Sequence, residues 1–242
     1  MKKYIVGCSG FSYWNWKGSF YPEELPQSKW FAFYCEHFGS LELNSTFYHF
    51  PRIKTLEGWY NKSPQYFIFS VKAPRGITHF RKLKEADELI KNFYHNCKEG
   101  LKEKLGPLLF QFPPSFIFTE ENLSLILNSL DADFMNVVEF RHKSWWDDLV
   151  YKELAKKKIT FCGISHPTLP DDVIINTNKI YFRFHGVPKL FYSGYDNPTI
   201  KNIADKIIKN KKTRQAFFYF NNTASIESID NAQWLQQYVD KQ

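Results

Sequence analysis

The amino-acid sequence predicts an α/β fold, a single closed (β/α)8 TIM barrel that takes up residues 1–242. Apolar runs rich in β-branched and aromatic residues alternate along the chain with segments of helical period. Such alternation indicates parallel strands joined by right-handed helical crossovers. Eight of these units fit into a chain whose length is close to the ~250 residues typical of the closed barrel. A doubly wound open sheet is the alternative, because alternation alone does not show closure.

The eight predicted strands are short and lie at intervals along the whole chain. Each is dominated by aliphatic and aromatic residues, which favour strands. They span residues 4–8, 41–48, 67–73, 107–112, 137–141, 160–164, 180–185 and 216–220. Their spacing leaves room for a helix between most neighbours, so we expect one helix after nearly every strand.

The predicted helices show apolar residues at intervals of three and four, and several begin at a capping residue. Ser28 is the predicted N-cap of the first helix, Thr119 that of the helix after the fourth strand, and Ser144 the start of the next. Further apolar stripes mark helices within residues 56–60, 86–101, 200–208 and 226–239. After the sixth strand, the sequence SHPTLPDDV has two prolines and no helical period, which predicts an irregular connection there.

Composition and charge limit the classes of protein. No apolar run approaches the roughly 18–20 residues that a membrane span needs, and the apolar stretch near the N-terminus is too short for a secretion signal. The four cysteines are scattered singly, so we expect no cysteine zinc site, a cytoplasmic protein with reduced thiols, and no membrane partner. The net charge of +7 favours acidic partners such as phosphates or nucleic acid. The oligomeric state is left open.

Polar and charged residues collect at the ends of the predicted strands. Three strands carry them as i, i+2 pairs, which share one face of a strand: Glu42 with Asn44, Glu139 with Arg141, and Arg183 with His185. Other strand ends carry Lys72, His79, Gln111 and Asn222. Because the active site of a TIM barrel lies at the C-terminal rim of the strands, we expect one cluster of paired charges that is open to a ligand. A structural ion-pair network that fills the barrel mouth is the alternative.

Seven sequence motifs, taken in order, resemble those of a known family. They are GCSGFSYWNWKGSFYP, LELNSTFYHFP, FSVKAPRGITH, LGPLLFQFPPSF, VVEFRHKSWW, YFRFHG and FYFNNT. Over residues 4–239 they resemble the successive signatures of the domain of unknown function 72 family. The resemblance implies a TIM barrel, which favours the closed form. It leaves the reaction open, because no activity is established for that family.

The resemblance also carries the polar strand-end residues of the family onto this chain. They fall on Glu42, Asn44, Thr46, Lys72, His79, Gln111, Glu139, Arg141, Arg183, His185, Asn221 and Asn222. One position departs from the pattern: many members have an aspartate at the end of the sixth strand, where this chain has Ser165 and His166. If that aspartate serves catalysis or metal binding, one of these two residues replaces it here, or the role is absent.

Metal-free handling of a small anion, bearing phosphate or carboxylate, uses the most of these residues. Lys72, Arg141 and Arg183 are expected to clamp the anion. His185 is the expected general acid or base, Glu139 orients Arg141 or takes a proton, and Glu42 completes the candidate catalytic set. The other predicted substrate-binding residues are Asn44, His79, Gln111, Asn222, Tyr192 and Trp14. No cofactor is expected, and the chemistry is of hydrolase or lyase type.

Two enzyme alternatives use the carboxylates instead. A divalent metal ion at Glu42, Glu139 and His185 would give metal-assisted hydrolysis, although the nearby cations disfavour it. Glycoside hydrolysis would use Glu42 and Glu139 about 5–9 Å apart. The aromatic residues that would stack on the sugar are Trp14, Trp16, Trp145 and Tyr192. Pairing with Lys72 and Arg141 would lower the pKa of the two carboxylates and make them poor general acids.

Nucleic-acid binding, with or without cleavage of the phosphodiester backbone, is the alternative from another class. The basic charge, the aromatic content of 19% and the loop tryptophans are typical of a surface that binds phosphates and stacks on bases. The 24 phenylalanines are spread over strands and helices, however, which is more typical of a packed core.

The loop after the seventh predicted strand, VPKLFYSGYDNP, follows the strand end that carries Arg183 and His185. We predict that it is a mobile cover whose hydroxyl groups, on Tyr192 and Tyr195, reach the ligand. A packed surface loop is the alternative.

Overall fold

The sheet of the protein consists of parallel strands and curls into a barrel. The computed structural model describes residues 3–242 and has nine strands. They are β1 (Tyr4–Ser9), β2 (Ser40–Leu43), β3 (Ile68–Lys72), β4 (Leu105–Gln111), β5 (Asn136–Glu139), β6 (Thr160–Phe161), β7 (Gly163–Ser165), β8 (Lys179–Phe184) and β9 (Gln215–Phe220). Neighbours in the sheet follow the order β6-β5-β4-β3-β2-β1-β9-β8-β7, and each neighbouring pair is parallel.

The two ends of this sheet are the two halves of one strand, so the barrel is closed. β6 pairs with β5 and β7 pairs with β8, and only Cys162 separates β6 from β7. The Cys162 amide donates to the carbonyl oxygen of Val138 in β5 over 2.8 Å, so hydrogen bonding to the barrel wall continues through the break. The predicted closed (β/α)8 barrel is confirmed, and its sixth predicted strand is divided in two.

Eight α-helices surround the strands within residues 3–242. They are α1 (Trp30–His37), α2 (Ser45–Tyr48), α3 (Ile53–Lys62), α4 (Asp87–Leu101), α5 (Glu120–Ser129), α6 (Asp148–Lys156), α7 (Asn197–Ile208) and α8 (Glu227–Val239). Residues 166–178, between β7 and β8, contain no helix, as their two prolines predict. In the described part of the chain, no helix is long and apolar enough to cross a membrane.

The three predicted helix starts have different outcomes. Thr119 caps α5, and its hydroxyl oxygen accepts a hydrogen bond from the amide three residues later over 3.0 Å, as predicted. Ser144 instead lies in a 3-10 turn, and α6 begins after Asp147, whose carboxylate accepts from the amide two residues later over 2.7 Å. Ser28 also lies in a 3-10 turn, which runs directly into α1, so it is not an N-cap.

Two predicted strands extend at least two residues too far at their C-terminal ends. The second was predicted over residues 41–48, but β2 ends at Leu43 and residues 45–48 form the single turn α2. The Thr46 hydroxyl donates to the Leu43 carbonyl oxygen over 2.9 Å, which stabilises this turn although its residues are β-branched and aromatic. β5 ends at Glu139, so Arg141 lies in the loop that follows the strand.

The inside of the barrel is apolar near the start of the strands and polar near their ends. The apolar part is a cluster of Ile5, Leu109, Val137, Cys162, Ile164, Tyr181, Phe217 and Tyr219. A larger core lies between the outer faces of the strands and the helices. Both faces of the strands are therefore covered, as parallel sheets require. Farther along the strands, the interior holds the buried charged side chains of Glu42, Glu139 and Arg183.

Candidate functional site

Hydroxyl groups separate the apolar filling of the barrel from its charged residues. The Tyr181 hydroxyl lies 2.7 Å from the Ser70 hydroxyl and donates to Oε2 of Glu42. β8 places Tyr181 two residues before Arg183, so both side chains point into the barrel. Tyr181 belongs to the site although the strand-end pattern does not single it out. The alternation of Tyr181, Arg183 and His185 on one strand is the signal that would identify it.

Arg183 joins two carboxylates that lie on different strands. One of its terminal nitrogens donates to Oε2 of Glu139 and the other to Oε1 of Glu42, each over 2.6 Å. The Ser9 hydroxyl also donates to Oε1 of Glu42. All three charged side chains are at most 1% exposed. Burial disfavours the charge of Arg183, but Glu139 and Glu42 raise its pKa well above the usual value, so the guanidinium stays charged.

Glu139 is shared by two guanidinium groups. Its Oε1 lies 2.6 Å from a terminal nitrogen of Arg141, while its Oε2 accepts from Arg183. Burial alone would raise the pKa of Glu139, but the charges of Arg141 and Arg183 hold it well below the usual value. The carboxylate is therefore ionised at neutral pH and poorly suited to donate a proton. Its contact with Arg141 follows from their spacing of two residues, whereas its contact with Arg183 depends on the closure of the barrel.

His185 is a fully buried imidazole beside Arg141. Its Nε2 lies 3.3 Å from a terminal nitrogen of Arg141 and 3.4 Å from Oε1 of Glu139. Its Nδ1 lies 2.9 Å from the side-chain amide nitrogen of Asn221. Burial, followed by the charge of Arg141, lowers the pKa of His185 well below the usual value. At neutral pH the ring is therefore not the imidazolium that a general acid needs, and its contacts fix the position of Arg141.

Arg141, His79 and His166 are partly exposed and lie at the edge of this buried network. The Arg141 side chain is 13% exposed, and the Gln111 amide nitrogen lies 3.4 Å from Nε2 of His79. Burial, followed by the charges of Lys72 and Arg141, lowers the pKa of His79 to about 4. Burial and the charge of Arg141 likewise lower the pKa of His166 to about 4. Since both imidazoles are neutral at neutral pH, the positive charge beside the carboxylate network is supplied by Arg141 and by the protonated fraction of Lys72.

Lys72 ends β3 two residues after Ser70, whose hydroxyl reaches Tyr181 inside the barrel, so the lysine side chain also points inward. Among residues 3–242 its amino group has no hydrogen-bond or ion-pair partner, and its nitrogen lies 4.2 Å from the ring centroid of Phe47. Burial, followed by the charge of Arg183, lowers the pKa of Lys72 to about 7, and the two buried carboxylates offset this only in part. A large fraction of the lysine is therefore uncharged at neutral pH.

Four predicted substrate-binding residues lie outside the network of charged contacts. Asn44 directly precedes α2, and the Asn222 amide donates to the carbonyl oxygen of Ser193 over 3.1 Å. Trp14 is 65% exposed and Tyr192 is 51% exposed, so both are accessible to a ligand. Their contacts with a substrate remain predictions.

Trp16 and Trp145 are fully buried, so the prediction that they stack on a sugar is wrong. The Trp145 ring stacks on Phe140 with 4.0 Å between ring centroids, and its indole nitrogen donates to the carbonyl oxygen of Phe116 over 2.6 Å. The indole nitrogen of Trp16 donates to the carbonyl oxygen of Ser225. Both tryptophans therefore hold loops against the barrel and have no face free for a ligand.

Tyr195 ties down the loop that follows β8. Its hydroxyl lies 3.0 Å from the Ser165 hydroxyl and accepts from the Gly186 amide over 2.8 Å. Ser165 ends β7, at the position where the resemblance leads one to expect an aspartate. Its hydroxyl is used within the fold, as is that of Tyr195. Of the two loop tyrosines, Tyr192 is the one left exposed.

The carboxylates do not converge on a metal site. Within residues 3–242, no group of three or more His, Cys, Asp or Glu side chains is placed to hold a metal ion. Oxygens of Glu42 and Glu139 are directed at Arg183, and His185 lies against Arg141. A cation bound by this set would have to displace guanidinium groups from their hydrogen-bond partners.

Two cavities lie at the opposite, N-terminal end of the barrel. One of about 1100 Å³ is lined by residues from the starts of several strands, among them Ile5, Ile68 and Phe217. The other, of about 760 Å³, is lined in part by five basic residues, namely Lys158, Lys179, Lys211, Lys212 and Arg214. Neither contains the polar strand ends. Because residues at this face of TIM barrels serve stability whereas the opposite face carries the active site, we place the candidate site at the C-terminal end.

Known proteins with similar sequences or structures match nearly the whole chain. The UPF0759 protein YunF of Bacillus subtilis (strain 168) is 24% identical over 270 residues, which cover 97% of this chain and 94% of that protein. The crystal structure of a DUF72 family protein from Thermotoga maritima MSB8 is 29% identical, with a TM-score of 0.88 and coverage of 99% of this chain and 100% of that one. A DUF72 family protein from Enterococcus faecalis V583, 19% identical with a TM-score of 0.82 over 98% of this chain and 95% of that one, supports the fold alone.

The model of one family covers the chain from the first strand to the C-terminus. It is described as "Protein of unknown function DUF72" and matches residues 5–242. The order of the strand-end motifs, the closed barrel and the matches to DUF72 structures agree with it. The chain belongs to the DUF72 family.

Proposed function

We propose that the protein is an enzyme that binds a small substrate bearing a phosphate or carboxylate group at the C-terminal mouth of the barrel, without a metal ion. One observation carries the proposal. The carboxylates Glu42 and Glu139 are already engaged by Arg183, while Lys72 and the partly exposed Arg141 remain beside them. A bound anion would balance the positive charge of Arg141 and Lys72.

The charges of the site support this conclusion. Three cationic side chains, Lys72, Arg141 and Arg183, face two carboxylates, Glu42 and Glu139, so three positive charges less two negative charges leave one positive charge when Lys72 is protonated. In the free protein, burial and the charge of Arg183 lower the pKa of Lys72 to about 7, so part of the lysine is uncharged and the excess is smaller. A bound anion would balance the excess and raise the pKa of Lys72 again.

Arg141 is the residue best suited to hold the anion. Glu139 and His185 fix one terminal nitrogen of its guanidinium, whereas its buried Nε and its other terminal nitrogen have no hydrogen-bond partner among the described residues. Guanidinium groups bind phosphate and carboxylate through two parallel hydrogen bonds, which gives them geometric selectivity. In this proposal the buried carboxylates act as counter-charges that hold Arg141 and Arg183, and the neutral His185 positions Arg141.

The experiment is a thermal-shift screen of sulfate and of a panel of phosphorylated and carboxylated metabolites. We expect selected anions to raise the melting temperature of the wild type, and Arg141→Gln to abolish most of that rise. Arg52→Gln is the matched control, because Arg52 is exposed and its side chain makes no hydrogen bond or ion pair with Glu42, Glu139 or His185. No stabilisation of the wild type by any anion, or an equal rise in both variants, would refute the proposal.

Glycoside hydrolysis has less support from this geometry. It needs one carboxylic acid with a raised pKa, and Glu139 has a lowered one. Both carboxylates also accept hydrogen bonds from the same guanidinium of Arg183. Assaying aryl glycosides of several sugars with the wild type and Glu139→Gln tests this alternative, which requires turnover that the variant loses.

Nucleic-acid binding is the second candidate function, and one observation favours it. The depression of about 760 Å³ at the N-terminal end is lined by five basic side chains against one acidic side chain, Asp133. Such a surface binds phosphates through screened electrostatic contacts. The test is fluorescence anisotropy with single-stranded and duplex DNA at two salt concentrations. Lys211→Glu with Lys212→Glu would weaken salt-dependent binding, and absence of binding at low salt would remove this candidate.

A further inference from the structure

Lys104 is buried and Lys72 is partly buried, and the two lysines differ in their hydrogen-bond partners. The Lys104 ammonium donates to the carbonyl oxygens of Tyr60 and Ser63 and to the Ser63 hydroxyl, over 2.7 to 2.9 Å. All three of its donor positions are used, so Lys104 is a structural cation. The Lys72 nitrogen has no such partner among residues 3–242, and the side chain ends inside the barrel beside a phenyl ring.

An amine without a hydrogen-bond or ion-pair partner can act as a nucleophile when it is uncharged. Its uncharged form has a free lone pair, and no carboxylate within ion-pair distance holds it as ammonium. Arg183 and Arg141 lower its pKa further, after burial has done so, to about 7. Lysines with this environment are the ones that attack carbonyl groups in enzymes.

We propose that Lys72 is a covalent nucleophile that forms a Schiff base with an aldehyde or ketone group of the substrate, whose anionic group is held by Arg141. This inference rests on the proposed function, because Arg141 must place the carbonyl carbon next to the amine. The substrate class is therefore a small oxo acid or a phosphorylated aldehyde or ketone.

The bonding changes balance without an oxidant or reductant. The lone pair on Nζ of Lys72 attacks the carbonyl carbon, and the π electrons of the C=O bond move to the oxygen, which takes up a proton. The nitrogen of the resulting carbinolamine then loses a proton, and the oxygen leaves as water after a second protonation. The products are a protonated imine (iminium ion) joined to Lys72 and one molecule of water, with one proton taken up overall. The protonated imine nitrogen supplies the electron sink for later steps.

The experiment traps the imine with sodium cyanoborohydride and locates the modified lysine by peptide mass mapping. Two probes are used at neutral pH, glyoxylate as an anionic aldehyde and acetaldehyde as a neutral one. The carboxylate of bound glyoxylate raises the pKa of Lys72 above its value in the free protein, so the fraction of the amine that stays uncharged is the one that reacts. We expect glyoxylate to label Lys72 on the order of 10- to 100-fold faster than surface lysines, whose amines are almost wholly protonated at this pH. Sulfate should slow the glyoxylate reaction at Lys72.

Variants separate reactivity from folding. Lys72→Met and Lys72→Arg should both lose the fast labelling, and the melting temperatures of both show whether they are folded. Lys104→Arg is the matched control and should keep the fast labelling of Lys72. Labelling of the wild type that is no faster at Lys72 than at surface lysines would overturn the inference, and this measurement does not depend on the folding of any variant.

Failure of the inference and failure of the proposed function give different results. If sulfate binds the wild type but Lys72 is not labelled faster than surface lysines, the anion site stands and the Schiff base is wrong. If Lys72 is labelled equally fast by glyoxylate and acetaldehyde, and sulfate neither binds nor protects, the anion site of the proposed function is wrong and the pairing with Arg141 falls with it.

Discussion

At the level of single residues, the geometry of the site depends on Arg183. Its guanidinium spans the barrel between Glu42 and Glu139, so two strands that are not neighbours hold each other through one side chain. Since these charges are fully buried, removing one partner leaves the others without a counter-charge, which is costlier than the loss of a surface ion pair. This cost should be clearest when Glu139 is replaced, because its carboxylate contacts both Arg141 and Arg183.

Glu139→Gln should therefore lower the free energy of unfolding by about 3–5 kcal/mol at neutral pH. Urea denaturation measures this change. The matched control is Glu121→Gln, which removes an exposed ion pair to Lys84 and should cost no more than about 1 kcal/mol. Similar losses in both variants would contradict the structural role of the buried network.

The same carboxylate sets a pH dependence. Its pKa in the folded protein lies well below the ordinary value of 4.5, so its contribution to stability is complete above pH 4.5 and is lost as the pH falls toward the lower, folded value. The difference in unfolding free energy between wild type and Glu139→Gln should accordingly be largest at neutral pH and shrink below pH 4.5. A difference that stays constant down to acid pH would show that Glu139 is not stabilised as an anion.

Residue spacing predicted the contact between Glu139 and Arg141 but not the one between Glu139 and Arg183. The first follows from two positions on one strand and the loop after it, where i and i+2 share a face. The second joins residues that are 44 apart in sequence, and it depends on how the barrel closes. Tyr181 was not predicted for the same reason, since its contact with Glu42 crosses the barrel.

At the level of elements, apolar periodicity predicted most helices and strands, whereas only one of the three predicted helix starts, Thr119, was right, and local hydrogen bonds decided the exceptions. Thr119 caps α5 as predicted, whereas the Thr46 hydroxyl stabilises a helical turn in a segment whose composition favours a strand. Composition describes an average preference, and one side-chain hydrogen bond to the backbone can override it over four residues.

The loop after β8 provides a prediction at this level. Tyr195→Phe removes a hydroxyl that bonds the Gly186 amide and lies near Ser165, so we expect a loss of stability of about 1–2 kcal/mol and faster exchange of the loop amides. Hydrogen exchange measured by mass spectrometry checks this. Tyr192→Phe is the control, since that side chain is 51% exposed, and it should leave the exchange unchanged. Equal exchange in wild type and Tyr195→Phe would show that the hydroxyl does not hold the loop.

At the level of the whole molecule, the barrel is closed by a strand that is broken at Cys162. The sequence predicted eight parallel strands and the location of polar residues at their ends, and left an open sheet as the alternative. Closure could not be derived from periodicity, because an open sheet and a barrel share the same local pattern of strands and helices. It depends on pairing between β7 and β8, which involves residues on either side of the irregular segment 166–178.

Gly163 makes this closure sensitive to substitution. A Cβ atom at this position would lie 2.6 Å from the ring of Phe182, which is fully buried in β8. Gly163→Ala should therefore destabilise the protein by about 1–3 kcal/mol. Gly58→Ala, in α3, has no atom within 4 Å of the new methyl group and should raise the stability by about 0.5–1 kcal/mol. Thermal and urea unfolding of both variants measure the contrast, and equal effects would contradict the close packing at the junction.

The central claim is that the barrel mouth binds an anion and that Lys72 takes up a proton when the anion binds. Calorimetric titration with sulfate near pH 8, in two buffers with different heats of ionisation, tests it most directly. Lys72 has a pKa of about 7 in the free protein, so it is mostly uncharged at this pH, and a bound dianion that raises the pKa should draw in a proton from the buffer. We expect uptake that approaches one proton per sulfate near pH 8, falls as the pH is lowered through 7, and is absent in Lys72→Met. Binding without proton uptake, or the same uptake in Lys72→Met, would contradict the claim.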